Sequence, residues 1–263
     1  MSPRTAVLLI DPLNDFLHPD GKLYPLVKAS LESSNSLEHM QQLVAGARQA
    51  RIPIFYGLHQ ITKDGTYSGW NHMNGQQIQT QRSGTFSEEF GGQILNELEP
   101  QPSNGDVVVS RHWISSSFAN TDLEYQLRQH DITHVVLAGL TTNSCVESTA
   151  RAAREIGFHV TLLTDATAAF SVELEKAAVN LVWPTFADQL LSTNEPPEHW
   201  NMDPLQDLTI LFALALMSGD TTVISLRLHR ATDSTNLGRD RSSNTENPNY
   251  RDLQKPSLGT FLI

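Results

Sequence analysis

Five short apolar, β-branched runs recur along the first two thirds of the chain, at 6–10 (AVLLI), 52–56 (IPIFY), 107–109 (VVV), 135–138 (VVLA) and 160–163 (VTLL). Each is too short for a helix and too continuously apolar for a strand with one wet face, so each reads as a strand buried on both sides. Between them lie stretches with helical spacing: 36–50 (SLEHMQQLVAGARQA), 88–98 (EEFGGQILNEL), 121–130 (TDLEYQLRQH) and 145–156. A further helix is expected over 173–182 and a sixth strand over 187–192 (ADQLLS). This alternation constrains the fold most, because parallel strands need a helical crossover to return the chain to the same edge. The expected architecture is α/β: a doubly wound, mostly parallel six-stranded sheet with helices on both faces, a Rossmann-type three-layer sandwich.

In such sheets ligands collect at the carboxyl ends of the strands, near the point where the winding reverses. Two reactive residues fall there. Cys145, the only cysteine, follows the 133–138 run (THVVLA) after the turn Gly139-Leu140-Thr141-Thr142-Asn143-Ser144 and opens a helical stretch that ends at Gly157. Taken alone it reads as a small buried hydrophobe. At a helix start, however, unpaired N–H groups and the positive end of the dipole are expected to stabilise a thiolate and lower its pKa. Asp11 ends the first strand, before the turn Pro12-Leu13-Asn14-Asp15-Phe16. If strands one and four are neighbours, Asp11 and Cys145 converge as a base beside a nucleophile. The segment 109–118 (VSRHWISSSF) leaves the third strand at the same edge, where Arg111 or His112 offers a cation; Trp113 and Phe118 are assigned to the core.

Composition removes several classes of partner. With 29 acidic and 18 basic residues the net charge is -11, which repels phosphate backbones and anionic membrane surfaces, so neither nucleic acid nor membrane is an expected partner. The longest apolar run, 208–217, is about half a membrane span. One cysteine makes no disulfide framework and the first residues show no long apolar stretch, so a cytoplasmic protein is expected. The alternating strand and helix pattern fills residues 1–195. The remaining 196–263 form a divergent extension, with a helix expected over 203–218 and disorder beyond it, since 231–250 is almost wholly polar.

The segments VLLIDPLNDF (7–16), SSFANTDLEYQL (116–127), VVLAGLTTNSCVESTARAA (135–153) and GFHVTLLTDATAAF (157–170) resemble the isochorismatase-like cysteine hydrolase family, which includes nicotinamidases and other small-amide hydrolases as well as isochorismatase. The resemblance covers most of 5–193. It implies that Asp11 is the catalytic carboxylate and Cys145 the nucleophile. It further implies a cis peptide bond at Leu140–Thr141, with the N–H groups of Thr141 and Cys145 forming an oxyanion hole. The family's catalytic lysine has no counterpart; its position holds His112, to which the role passes. Leu13 stands where the family usually has glutamine. Nicotinamidases bind a metal through an Asp-x-His pair after the second strand, but here Gly57 precedes His59 by two residues, so no metal and no other cofactor is expected. Phe16, His59, Trp70 and His72 are placed at the substrate pocket, and the resemblance implies a homo-oligomer, dimer or tetramer.

Three functions follow from these residues. The first is hydrolysis of a small-molecule amide or related C–N bond through a thioester acyl-enzyme. The second is hydrolysis of a vinyl ether, as in isochorismatase, which needs no thiol. The third is a non-catalytic binding or regulatory module, suggested by the missing lysine.

Overall fold

The computed structural model describes residues 4–62, 67 and 69–193. The extension, with its expected helix at 203–218, and the boundary near 195 lie outside the described residues. In chain order the elements are β1 (Arg4–Ile10), α1 (Asn14–Leu17), α2 (Tyr24–Ser34), α3 (Ser36–Gln49), β2 (Ile54–Gly57), α4 (Gly75–Arg82), β3 (Val107–Val108), α5 (Leu123–Gln129), β4 (Ile132–Leu140), α6 (Glu147–Glu155), β5 (His159–Ala168), α7 (Val172–Ala177) and β6 (Gln189–Leu191). The strands form one sheet in the order β3-β2-β1-β4-β5-β6, every pair parallel. The winding therefore reverses between β1 and β4, and the expected α/β sheet is the one observed.

The period-two alternation of β1 divides the core. Val7 and Leu9 join a cluster with Met40, Leu43, Val44 and Ala47 of α3, while Ala6, Leu8 and Ile10 join the other with Leu123 and Leu127 of α5 and Ala150 and Ala153 of α6. Both faces of the sheet are thus covered, as the unbroken apolar runs require. Helix α6 ends where the sequence suggested. Gly157 takes a φ of +90°, its N–H bonds the Arg154 carbonyl at 3.2 Å, and the Phe158 N–H reaches the Ala153 carbonyl at 3.0 Å, the paired bonds of a Schellman motif.

The helix expected over 88–98 does not form. Its backbone is bonded to the turn after β1 instead. The Asn14 N–H binds the Gln93 carbonyl (2.9 Å), the Asp15 N–H binds that of Gly91 (3.1 Å), and the Leu95 N–H binds that of Pro12 (2.9 Å). Only a 3₁₀ turn at Asn96–Leu98 remains. A side chain at Gly91 would bring its Cβ within 2.3 Å of an Asp15 carboxylate oxygen, so the glycine permits this close passage. The crossover carries its helix earlier, as α4, which buries no residue and is started by a capping box between Asn74 and Gln77.

Candidate active site

Asp11 leaves the end of β1 in the left-handed region, φ +47°, a conformation that Asp tolerates better than most residues. Its N–H donates to the Gly57 carbonyl (2.9 Å), which ties it to the end of β2. The carboxylate is wholly buried. Oδ1 accepts from the backbone N–H of His59 at 2.6 Å and lies 3.3 Å from His112 Nε2. Among the described residues Oδ2 has no N–H or O–H partner, and the Cys145 thiol acts on the carboxylate as a hydrogen-bond donor.

His112 reaches this position because the β2–β3 pairing continues past the strands: His59 and His112 form a parallel bridge, with the His112 N–H on the Leu58 carbonyl and the Gln60 N–H on the His112 carbonyl. Of the two residues the sequence offers here, His112 is the one whose ring meets the Asp11 carboxylate. Arg111 is turned away, donating to the carbonyls of His59 (2.7 Å) and Gly92 (3.0 Å). Trp113 is half-buried rather than core and meets Trp70 edge to face at 5.7 Å.

Cys145 lies within a π-helical turn, Thr142–Val146, that precedes α6, so the helix begins earlier and wider than the sequence suggested. The Leu140–Thr141 bond before it is cis. The N–H groups of Ser144 and Val146 both bond the Thr141 carbonyl, at 3.1 and 3.2 Å, and Thr142 Oγ1 lies 2.9 Å from Thr167 Oγ1 on β5. Sγ of Cys145, an Asp11 oxygen and a His112 nitrogen all fall within 4.8 Å of one another, the only such trio of His, Cys, Asp or Glu among the described residues.

The electrostatics correct one expectation. Burial, followed by the negative charge of Asp11, pushes the Cys145 thiol well above its usual range, against the lowering expected from a helix start. Asp11 moves the other way: burial raises it, but the combined effects of His112, His59 and the thiol hold it below the usual carboxylate range. The resting pair is therefore a thiol beside a carboxylate. Burial also lowers His59 to about 4, leaving a neutral ring at neutral pH.

Cys145 opens onto a cavity of about 200 Å³. Thr141 and Ser144 line it beside the sulfur, and Phe16, His59, Trp70, Phe86 and Phe170 form its aromatic walls. Phe16 and Phe86 are 5.4 Å apart and His59 stacks on Phe86 at 4.5 Å. Of the residues placed at the pocket from the sequence, Phe16, His59 and Trp70 are there; His72 is exposed and does not line it. Sequence reasoning missed Phe86, Phe170 and Ser144. Phe170 follows β5 at the same carboxyl edge, a signal that was available; Phe86 arrives on the unforeseen 83–95 turn, and none was.

The metal site of nicotinamidases does not fit this chain. The position two before His59 is Gly57, where a Cβ would approach Ser117 Oγ to 2.3 Å, so no carboxylate can stand there, and His59 Nδ1 is engaged with the Gln60 carbonyl at 2.8 Å.

A doubly wound sheet thus gathers an acid, an imidazole and a thiol at its switch point, and comparison with known proteins identifies the class of enzyme to which it belongs. The isochorismatase domain model matches residues 5–194, and the chain belongs to the isochorismatase family. It is 30% identical over 170 residues to Nicotinamidase 3 of Arabidopsis thaliana, covering 61% of this chain and 81% of that one. It is 42% identical over 80 residues to the uncharacterized isochorismatase family protein YecD of Escherichia coli O157:H7, spanning 30% of this chain and 42% of that protein. A cysteine hydrolase from Pseudomonas syringae pv. phaseolicola 1448A superposes with a TM-score of 0.62 at 22% identity, covering 81% of this chain and 93% of that one, a likeness of fold. No helix among the described residues is long and apolar enough to cross a membrane.

Proposed function

We propose that this protein hydrolyses the C–N bond of a small, uncharged amide through a thioester on Cys145. The observation that carries this reading is the buried Asp11 carboxylate, whose Oδ2 has no N–H or O–H partner among the described residues, within the same compact group as the sulfur that opens onto the cavity. Asp11 takes the thiol proton as Sγ attacks the carbonyl carbon, and the N–H groups of Thr141 and Cys145 hold the oxyanion. The C–N bond breaks, the nitrogen leaves with the proton from Asp11, and an acyl-enzyme remains. A water then gives its proton to Asp11 and its oxygen to the acyl carbon, and the acid leaves as the proton returns to Sγ. His112 takes the place of the family's lysine and holds the carboxylate through Oδ1.

The substrate class follows from the walls. Among the described residues lining the cavity none carries a full charge at neutral pH, so a neutral, flat molecule is favoured over anionic isochorismate, whose charge would be buried without a partner. The name of the plant relative, a nicotinamidase, agrees with amide chemistry. The test is a panel of small carboxamides scored for release of ammonia or amine. The account expects turnover by the wild type and none by Cys145→Ala; full activity in that variant overturns it.

A further inference from the structure

The group that serves as base, positioner and nucleophile has a second chemical capacity. It offers one sulfur, one imidazole nitrogen and one carboxylate oxygen, all within 4.8 Å. Ligands around a tetrahedral zinc ion stand about 3.3 to 3.6 Å apart, given bonds of roughly 2.0 to 2.3 Å. His112 Nε2 and Asp11 Oδ1 are already separated by 3.3 Å. A second observation points the same way. Asp11 Oδ2 is a buried polar atom with no N–H or O–H partner among the described residues, a condition that in proteins calls for a specific role such as a bound ion.

We propose that Asp11, His112 and Cys145 form a binding site for Zn²⁺ or a similarly thiophilic divalent cation, and that its occupancy and amide hydrolysis exclude each other. The donor set selects the ion: mixed S, N and O ligands suit zinc, cobalt and cadmium, whereas magnesium and calcium require mostly oxygen. Coordination forms an S–metal bond as the thiol proton passes to solvent; thiolate and carboxylate balance the two positive charges, and the imidazole gives a lone pair. Cys145 alone of the three lines the cavity, so the fourth position opens there and takes water. Blocking follows directly, because the sulfur that would attack the substrate is bound and Asp11 no longer accepts a proton. Imidazole at position 112 is essential, since a lysine ammonium has no lone pair to give.

The test uses the full chain, stripped of metal by chelation. On adding Co²⁺ a thiolate-to-cobalt absorption band is expected, and adding Zn²⁺ is expected to release about one proton per chain. Excess Zn²⁺ is expected to slow alkylation of Cys145 by iodoacetamide about tenfold or more, reversed by chelation, while Mg²⁺ does not. Cys145→Ser and His112→Lys are each expected to lose the cobalt band. An unchanged alkylation rate in excess zinc, a cobalt spectrum without the thiolate band, or full protection retained in His112→Lys overturns the proposal. If His112→Lys does not fold, the wild-type proton release and the Cys145→Ser spectrum decide it. Amide turnover by the chelator-treated chain tests the hydrolase reading separately, so either can fail without the other.

Discussion

Gly139 is the position where the sheet and the chemistry are most tightly coupled. It pairs with Ile10 across the β1–β4 junction, one residue before Asp11 on one strand and two before the Thr141 N–H on the other. Its φ is +115°, and a Cβ there would stand 2.0 Å from the Ile10 carbonyl oxygen and 2.7 Å from its nitrogen. Gly139→Ala therefore carries two penalties. Holding an L-residue in that region costs about 1–3 kcal/mol. Overpacking adds about 1–3 kcal/mol, toward the upper end here because the obstacle is backbone and not a yielding side chain. The sum, about 4–6 kcal/mol, lowers Tm by about 10 to 20 °C in a domain of this size. Relief requires β1 to move from β4, and an error of about 1 Å between Asp11 and Cys145 costs on the order of a hundredfold in rate. Thermal unfolding followed by circular dichroism, with amide turnover measured well below the new midpoint, reads both effects. A variant melting within about 2 °C of wild type with full turnover would refute the reasoning, since neither the conformation nor the close approach would then matter.

Asp11→Asn is expected to fold, because Asn tolerates the left-handed backbone and its Oδ1 still accepts from the His59 N–H. Its turnover falls by about 10² to 10⁴ for want of a base, yet iodoacetamide alkylates Cys145 faster at neutral pH than in wild type, because the negative charge holding the thiol proton is gone. Wild-type alkylation itself rises only above the pH range of an ordinary thiol; a transition well below that range would contradict the thiol–carboxylate resting state. Far from the site, Glu175 is held above its usual carboxylate range mainly by burial, with Ser30 donating to it. Its folded pKa is raised, so its stabilising effect is present at acid pH and lost as pH rises through the folded pKa. Glu175→Gln is therefore expected to melt higher than wild type at pH 7, an advantage that disappears below about pH 4 in a melting series.

The buried strands were legible because runs such as AVLLI permit little else, and the meeting of Asp11 with Cys145 followed from strands one and four being neighbours, while their roles came from the family resemblance. What escaped reading depends on partners distant in sequence. The 88–98 stretch has helical composition, but the N–H groups of Asn14, Asp15 and Leu95 fix it as a turn. Helix α4 has no apolar face to announce it, although the Asn74 and Gln77 pair was a visible start signal. The direction of the Cys145 shift was misjudged for a related reason. A helix start is a local feature, whereas burial and the Asp11 charge arise only when β1 and β4 are side by side.

In the proposed reaction Cys145 carries the acyl group. Intact-mass analysis of the wild type, quenched during turnover of its slowest carboxamide substrate, measures this directly. An adduct equal to the acyl portion, lacking the amide nitrogen, is expected on Cys145 of the wild type and is absent from Cys145→Ala. Turnover that proceeds with no adduct and persists in Cys145→Ala would contradict it.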